Sequence, residues 1–544
     1  IVPGKVRNME RKDIARKAVT AGIAAAMALS MAFTPTVALA APGVTGQITI
    51  TATSGDNANT AYSAYQIFTG DVTDSNGSKT VANIAWASND VRTAVVNAIK
   101  AEDSSYADPT DASASAQQAA EFINLHITGT NDTTILDNAS FGNKLADAVD
   151  GIAAKTTVTP GAAASLPEGY YLIVTANVNG AVDQNGTSPI FAIVGGSAVT
   201  VKEKTTVPTV EKQIKDDDAA NFGKAASSEL GKKLDYQITG TVASNLATYD
   251  TYYYAFKDTP SAGLDIDQST IRVTIDGTEV APSSYTVTAA TGSLSVEFQD
   301  LKAVKGTNGA PISVSATSKV VLTYQASLNA NSVIASQNNP NEVHVEYSNN
   351  PNTDEHGSTK PDKVKDYTYK LGLVKKDKQN QGRTLSGAKF TLQVKNADNT
   401  SGDNGKYVQA DGSLGDTAYE FTTGNDGTIS VSHIDAGTYT VKETKAPENY
   451  ETISDFDVTI TDNAKDMTTV DDTLTLSAAS TGSQDVTTSA DANTGTVTIA
   501  VSDVKNNGLP LTGQSGLMVT VLVGGAIVAA SATAMAKRKK SAEK

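Results

Sequence analysis

Two lysines stand where a β-strand would turn them away from water. In the run Val210-Glu211-Lys212-Gln213-Ile214, a period of two puts Lys212 on the face of Val210 and Ile214. In Leu371-Gly372-Leu373-Val374-Lys375, Lys375 shares a face with Leu371 and Leu373. Two later runs place an amide or an acid in the same way. Asn349 follows Val343, Val345 and Tyr347, and Asp503 follows Ile499 and Val501. Burial disfavours an ammonium, so its pKa falls and the neutral, nucleophilic amine becomes accessible. In a dry core such an amine can attack the side-chain carbonyl of Asn or Asp. The product is an intramolecular isopeptide bond, with ammonia lost from Asn or water from Asp. A buried carboxylic acid, its own pKa raised, would donate a hydrogen bond to the attacked carbonyl. The reaction is single-turnover and driven by proximity. Alternation alone leaves a second reading open, in which both lysines lie on the solvent face or snorkel out of it.

Strands must hold these groups, and the composition supplies them. Short β-branched runs such as Ser269-Thr-Ile-Arg-Val-Thr-Ile and Lys319-Val-Val-Leu-Thr-Tyr alternate with Gly, Asn, Asp and Ser. This predicts an all-β chain of tandem immunoglobulin-like sandwiches. The length calls for three of them. Turn-rich or charged stretches at 202–208 and 349–357 divide the chain into modules 41–204, 205–361 and 366–505. The first carries two helix-like insertions, roughly 112–124 and 141–154.

The two ends carry transport signals. Lys5, Arg7, Arg11, Lys12, Arg16 and Lys17 precede an apolar run, and Ala38-Leu39-Ala40 offers small residues for signal peptidase, so 1–40 reads as a signal peptide. Near the other end, Leu509-Pro510-Leu511-Thr512-Gly513 precedes an apolar run over 516–536 and a basic tail over 537–544. That order reads as a cell-wall sorting signal: a transmembrane helix, cations held in the cytoplasm, and a thiol transpeptidase of the sortase type cutting after Thr512. Both ends are net basic, so their removal takes the net charge from −16 to about −24. Such an acidic surface argues against nucleic acid. Cysteine is absent, and the four histidines (His126, His344, His356 and His433) lack metal-ligand spacing. No cofactor and no metal are expected. No nucleophile–base order, paired-carboxylate cleft or phosphate loop points to an enzyme.

The segment Tyr439-Thr-Val-Lys-Glu443-Thr-Lys-Ala-Pro-Glu-Asn449-Tyr450 resembles the E-box of Gram-positive pilins and Cna-B-type domains, Tyr-x-Val-x-Glu-Thr-x-Ala-Pro-x-Gly-Tyr. Asn449 replaces the usual glycine, and Asn tolerates the left-handed backbone. The resemblance implies that Glu443 is the assisting acid, Lys375 the amine and Asp503 its partner, with Asn506 as the alternative. The middle module is similar to the fimbrial isopeptide-forming domain of sortase-assembled backbone pilins. The similarity rests on Pro208-Thr-Val-Glu-Lys212, Tyr254-Ala-Phe-Lys-Asp258-Thr and Tyr347-Ser-Asn349-Asn-Pro. It implies a Lys212–Asn349 bond assisted by Asp258, with Asn341, of the same strand parity, as the alternative. Backbone pilins end their first domain in Val-x-Val-Tyr-Pro-Lys. Val199-Thr-Val-Lys202-Glu-Lys204 occupies that place, with Lys204 on the motif position and Lys202 as the alternative.

The resemblance implies the backbone subunit of a covalently polymerised surface pilus, in which sortase joins Thr512 of one copy to Lys204 of the next. Implied partners are a pilus-specific and a housekeeping sortase, further copies of the chain, minor or tip pilins, peptidoglycan, and a host surface glycan or matrix protein. The alternative is a singly displayed, wall-anchored adhesin.

Overall fold

The computed structural model describes residues 45–53, 56–334, 338–396 and 401–506. The signal peptide, the sorting motif Leu509–Gly513, the apolar run 516–536 and the basic tail lie outside the described residues. No helix among the described residues is long and apolar enough to cross a membrane.

The architecture is all-β and, among the described residues, three α-helices occur, all in the first module. In that module a small sheet, with Thr45–Thr51 between Ala163–Pro167 and Val199–Lys202, faces a larger one built on Tyr62–Ser75 and Gly169–Thr175. Two of the helices, Ala112–His126 and Phe141–Val149, fall where the sequence predicts them, although the second ends earlier than residue 154. The third, Asn89–Glu102, is an addition to the sequence reading. Ser88 caps it by accepting from the Val91 amide, and Val91, Val95 and Ile99 are buried at a spacing of four. Its β-branched residues carry strand propensity, and packing on the sheet overrides it.

The second module is a sandwich. One sheet runs Thr278–Glu279, Leu264–Ile275, Lys319–Leu328, Lys233–Thr241, Val210–Lys215. The facing sheet has Asn339–Ser348 beside Tyr254–Pro260, and Asp362–Tyr367 beside Asn339–Ser348. Asp362–Tyr367 lies beyond residue 361, so strand pairing extends this module through Tyr367. The third module repeats the plan. Tyr369–Asp377 runs parallel to Thr496–Asp503 in one sheet, and Lys389–Val394 pairs with Gly437–Lys445 in the other. Each sandwich buries its own apolar core between its sheets.

Candidate functional site

Lys212 sits on an edge strand, and the edge is closed by side chains. Its amide donates to Asp362 Oδ2 at 2.6 Å, and Lys224 Nζ donates to the Lys212 carbonyl at 2.7 Å. These bonds satisfy backbone groups that no neighbouring strand reaches and aim the Lys212 side chain across the sandwich. Lys212 is fully buried. Its Nζ donates to Asp258 Oδ1 at 2.5 Å and to the Tyr324 hydroxyl at 2.8 Å. The Tyr324 hydroxyl donates to Asp258 Oδ2 at 2.5 Å and accepts from Asn341 Nδ2 at 2.8 Å. The stacked rings of Tyr236 and Tyr324 flank the amine at 5.8 and 5.4 Å. Burial pushes the Lys212 pKa down, against the pull of Asp258. Asn341 Oδ1 is buried without a hydrogen-bond partner.

Asn349 is not part of this cluster. Asp258 pairs with Val343, so Asn349 lies six residues further along its strand, about 20 Å away. Its Nδ2 donates to the Val178 carbonyl at 2.7 Å, and its carbonyl accepts from the Gly186 amide at 2.7 Å. Asn349 therefore ties the first module to the second. Gly357 makes room for it, since a Cβ there would lie 2.4 Å from Asn349 Nδ2. The structure therefore does not bring Asn349 to Lys212, and the asparagine in this cluster is the alternative, Asn341, through Tyr324. Both asparagines have the inward parity, and strand register decides between them.

In the third module the expected residues converge. Lys375 and Asp503 lie on adjacent parallel strands, with Lys375 opposite Val501 and Asp503 opposite Asp377. Glu443 reaches in from the other sheet, beside Phe390 on the paired strand. All three side chains are fully buried. Lys375 Nζ contacts Asp503 Oδ1 directly, lies 2.8 Å from Glu443 Oε1 and sits 5.3 Å above the Phe390 ring. Glu443 Oε2 accepts from the Ile453 amide at 3.0 Å, which fixes the carboxylate. Burial pushes the Asp503 carboxyl up to about 7; Lys375 opposes the shift and Glu443 adds to it. Asn506 is exposed, with its amide bonded to the Asn449 carbonyl, and stays outside the triad. Asn449 takes a φ of 68°, the left-handed conformation its place in the E-box requires.

Among the described residues, Lys212 and Lys375 are the two buried lysines. Lys202 and Lys204 flank the buried Glu203, which accepts from the Thr53 amide at 2.8 Å and from the Tyr62 hydroxyl. Lys202 is exposed and pairs with Asp132 at 3.0 Å. Lys204 is half-buried, forms no ion pair among the described residues, and has its pKa pushed down by burial.

Residues 369–474 match the family model SpaA, described as "Prealbumin-like fold domain". No curated protein matches the chain in sequence. Among solved structures, the chain is similar to the T6 backbone pilin of serotype M6 Streptococcus pyogenes. Identity is 15% and the TM-score 0.51, over 86% of this chain and 99% of that one. That pilin has a modular three-domain structure decorated with variable loops and extensions. The full-length major pilin SpaD from Corynebacterium diphtheriae aligns at 17% identity and TM-score 0.44, over 85% and 97% of the two chains. BcpA, the major pilin subunit of Bacillus cereus, aligns at 15% and 0.38, over 85% and 99%.

Tyr324, which bonds Lys212, Asp258 and Asn341, is a site residue that sequence reasoning did not single out. Its strand was legible, and its parity shares a face with Val320 and Leu322, which buries the ring. Nothing local distinguishes a tyrosine that bridges an acid to an amide from one that simply fills the core.

Proposed function

We propose that this chain is the structural backbone subunit of a covalently polymerised surface pilus, stapled internally by two self-formed isopeptide bonds. The observation that carries this reading is the pair of buried lysines in consecutive sandwiches, each held against a carboxylate, Lys375 in contact with Asp503 and Lys212 linked through Tyr324 to Asn341. Burial of a lysine with no route to water is costly unless a partner or a reaction removes the charge.

In the second module Lys212 gives a proton to Asp258, and the neutral amine attacks Cγ of Asn341. The protonated Asp258 passes this proton through the Tyr324 hydroxyl, which lies 2.8 Å from Asn341 Nδ2, to the leaving nitrogen, and takes up the proton shed by the attacking amine. The C–N bond to Nδ2 breaks and ammonia leaves. In the third module Lys375 gives a proton to Glu443 and attacks Cγ of Asp503. Burial raises the Asp503 pKa to about 7, which favours the neutral acid over the unreactive carboxylate; its hydroxyl takes the proton from Glu443 and leaves as water. Each bond spans nearly a whole module, so tension along the fibre cannot extend the chain between its ends.

Polymerisation uses Lys204. An amine must be neutral to attack an acyl-sortase, and burial lowers the Lys204 pKa, whereas Lys202 is held by Asp132. Housekeeping sortase then attaches the fibre to peptidoglycan through Thr512. Co-expression with the pilus sortase tests the assignment. The wild-type chain forms a high-molecular-weight ladder, Lys202→Ala still ladders, and Lys204→Ala runs as a monomer. A chain that never ladders is a singly displayed adhesin.

A further inference from the structure

The junction between the second and third modules encloses a cleft of about 570 Å³ that holds more acid than base. Asp216, Asp217 and Asp218 lie on the turn after Val210–Lys215, Glu229 follows Ala225–Ser227, and Asp403 and Asp435 come from turns of the third module. Lys232 pairs with Asp217 Oδ2 at 3.0 Å and with Asp403, Lys406 pairs with Asp403 at 2.9 Å, and Lys465 pairs with Asp218 at 2.7 Å. No lysine pairs with Glu229 or Asp435 among the described residues. Glu229 lines the cleft and is only 6% exposed, yet no side chain donates to its carboxylate. A buried carboxylate that no side chain donates to is expensive, and the nearby Asp217 and Asp435 carboxylates, although bonded to Lys232 and to the Ala436 amide, add to that cost by repulsion.

The spacing shows what would relieve that cost. Carboxylate oxygens of Asp217, Glu229 and Asp435 lie within 4.8 Å of one another. Two oxygens on opposite sides of a calcium ion, each bound at about 2.4 Å, are about that far apart. Asp217 bonds Lys232 through Oδ2, which leaves Oδ1 for an ion. We propose that Asp217, Glu229 and Asp435 bind one hard divalent cation of the calcium class, bridging the second and third modules. The donors are all oxygen, which disfavours zinc and copper. The ligands come from three separate turns, an arrangement that suits the variable coordination of calcium better than the strict octahedron of magnesium. The sequence showed no such site because its ligands are acids on distant turns, not spaced histidines. The bound ion would stiffen a joint that isopeptide bonds within modules leave free to bend.

Isothermal titration of the chelator-treated exported chain with calcium chloride tests this. We expect one site with a Kd of about 0.1–1 mM, as in extracellular calcium modules. Terbium, sensitised by Tyr439 in the cleft wall, should luminesce and be displaced by calcium. Glu229→Gln with Asp435→Asn should keep the wild-type circular dichroism and weaken binding about tenfold or more. Absence of calcium binding, a double variant that binds like wild type, or equal affinity for magnesium chloride would overturn the assignment. None of these outcomes bears on polymerisation or on the isopeptide bonds.

Discussion

Glu443→Gln is the sharpest probe of the stapling chemistry. The substitution keeps the shape of the side chain and removes the base that takes the proton from Lys375. The Lys375–Asp503 bond would close a loop of about 130 residues, and the chain-entropy relation gives about 5 kcal/mol of stabilisation for it. With an unfolding entropy of about 2.1 cal/mol/K for each of roughly 135 residues in the third module, its loss should lower the Tm of that module by about 17 °C. Intact-mass measurement separates the covalent effect from simple loss of a buried ion pair. The wild-type exported chain should weigh about 35 Da less than its sequence, one ammonia plus one water. Glu443→Gln should weigh about 17 Da less than its own sequence, because only the second module still reacts. A wild-type chain of full mass, or a Glu443→Gln chain with the whole deficit, would refute the reasoning.

Asn341→Ala should abolish the ammonia loss and leave a deficit of about 18 Da, whereas Asn349→Ala should retain about 35 Da and loosen only the joint between the first two modules; intact mass distinguishes them. Glu229, raised from 4.5 to about 7 by burial, with Lys232 opposing and Asp403 and Asp217 adding, is protonated in the fold and ionised in the unfolded chain between those values. In chelator, stability at the second joint should therefore fall as pH rises through that window, and Glu229→Gln should flatten the fall in thermal scans. Asn449→Gly should raise the stability of the third module by up to about 1 kcal/mol, because glycine adopts the φ of 68° without penalty; chemical denaturation reads this.

How far the site could be read locally varies residue by residue. The inward direction of Lys212 and Lys375 follows from a period of two, which needs only neighbouring residues. The third-module cluster was legible because Glu443 lies in a contiguous motif and Asp503 ends a clean alternating strand. The second-module cluster was legible only in part. Asn341 and Asn349 have the same parity on the same strand, so no local pattern ranks them. The pairing of Pro260 with Asn341 and of Asp258 with Val343 does. The helix Asn89–Glu102 escaped for a related reason, since its valines prefer strands until a sheet is available to cover them.

By itself, the order of residues determined the β architecture and the side chains that turn inward, because alternation and turn chemistry act over a few residues. Tertiary structure alone decided which asparagine joins the Lys212 cluster, that Tyr324 bridges that asparagine to Asp258, and that acids from two modules share one cleft. Those outcomes depend on strand register and on how one sheet faces another, which contacts between residues far apart in the chain set and no local period encodes.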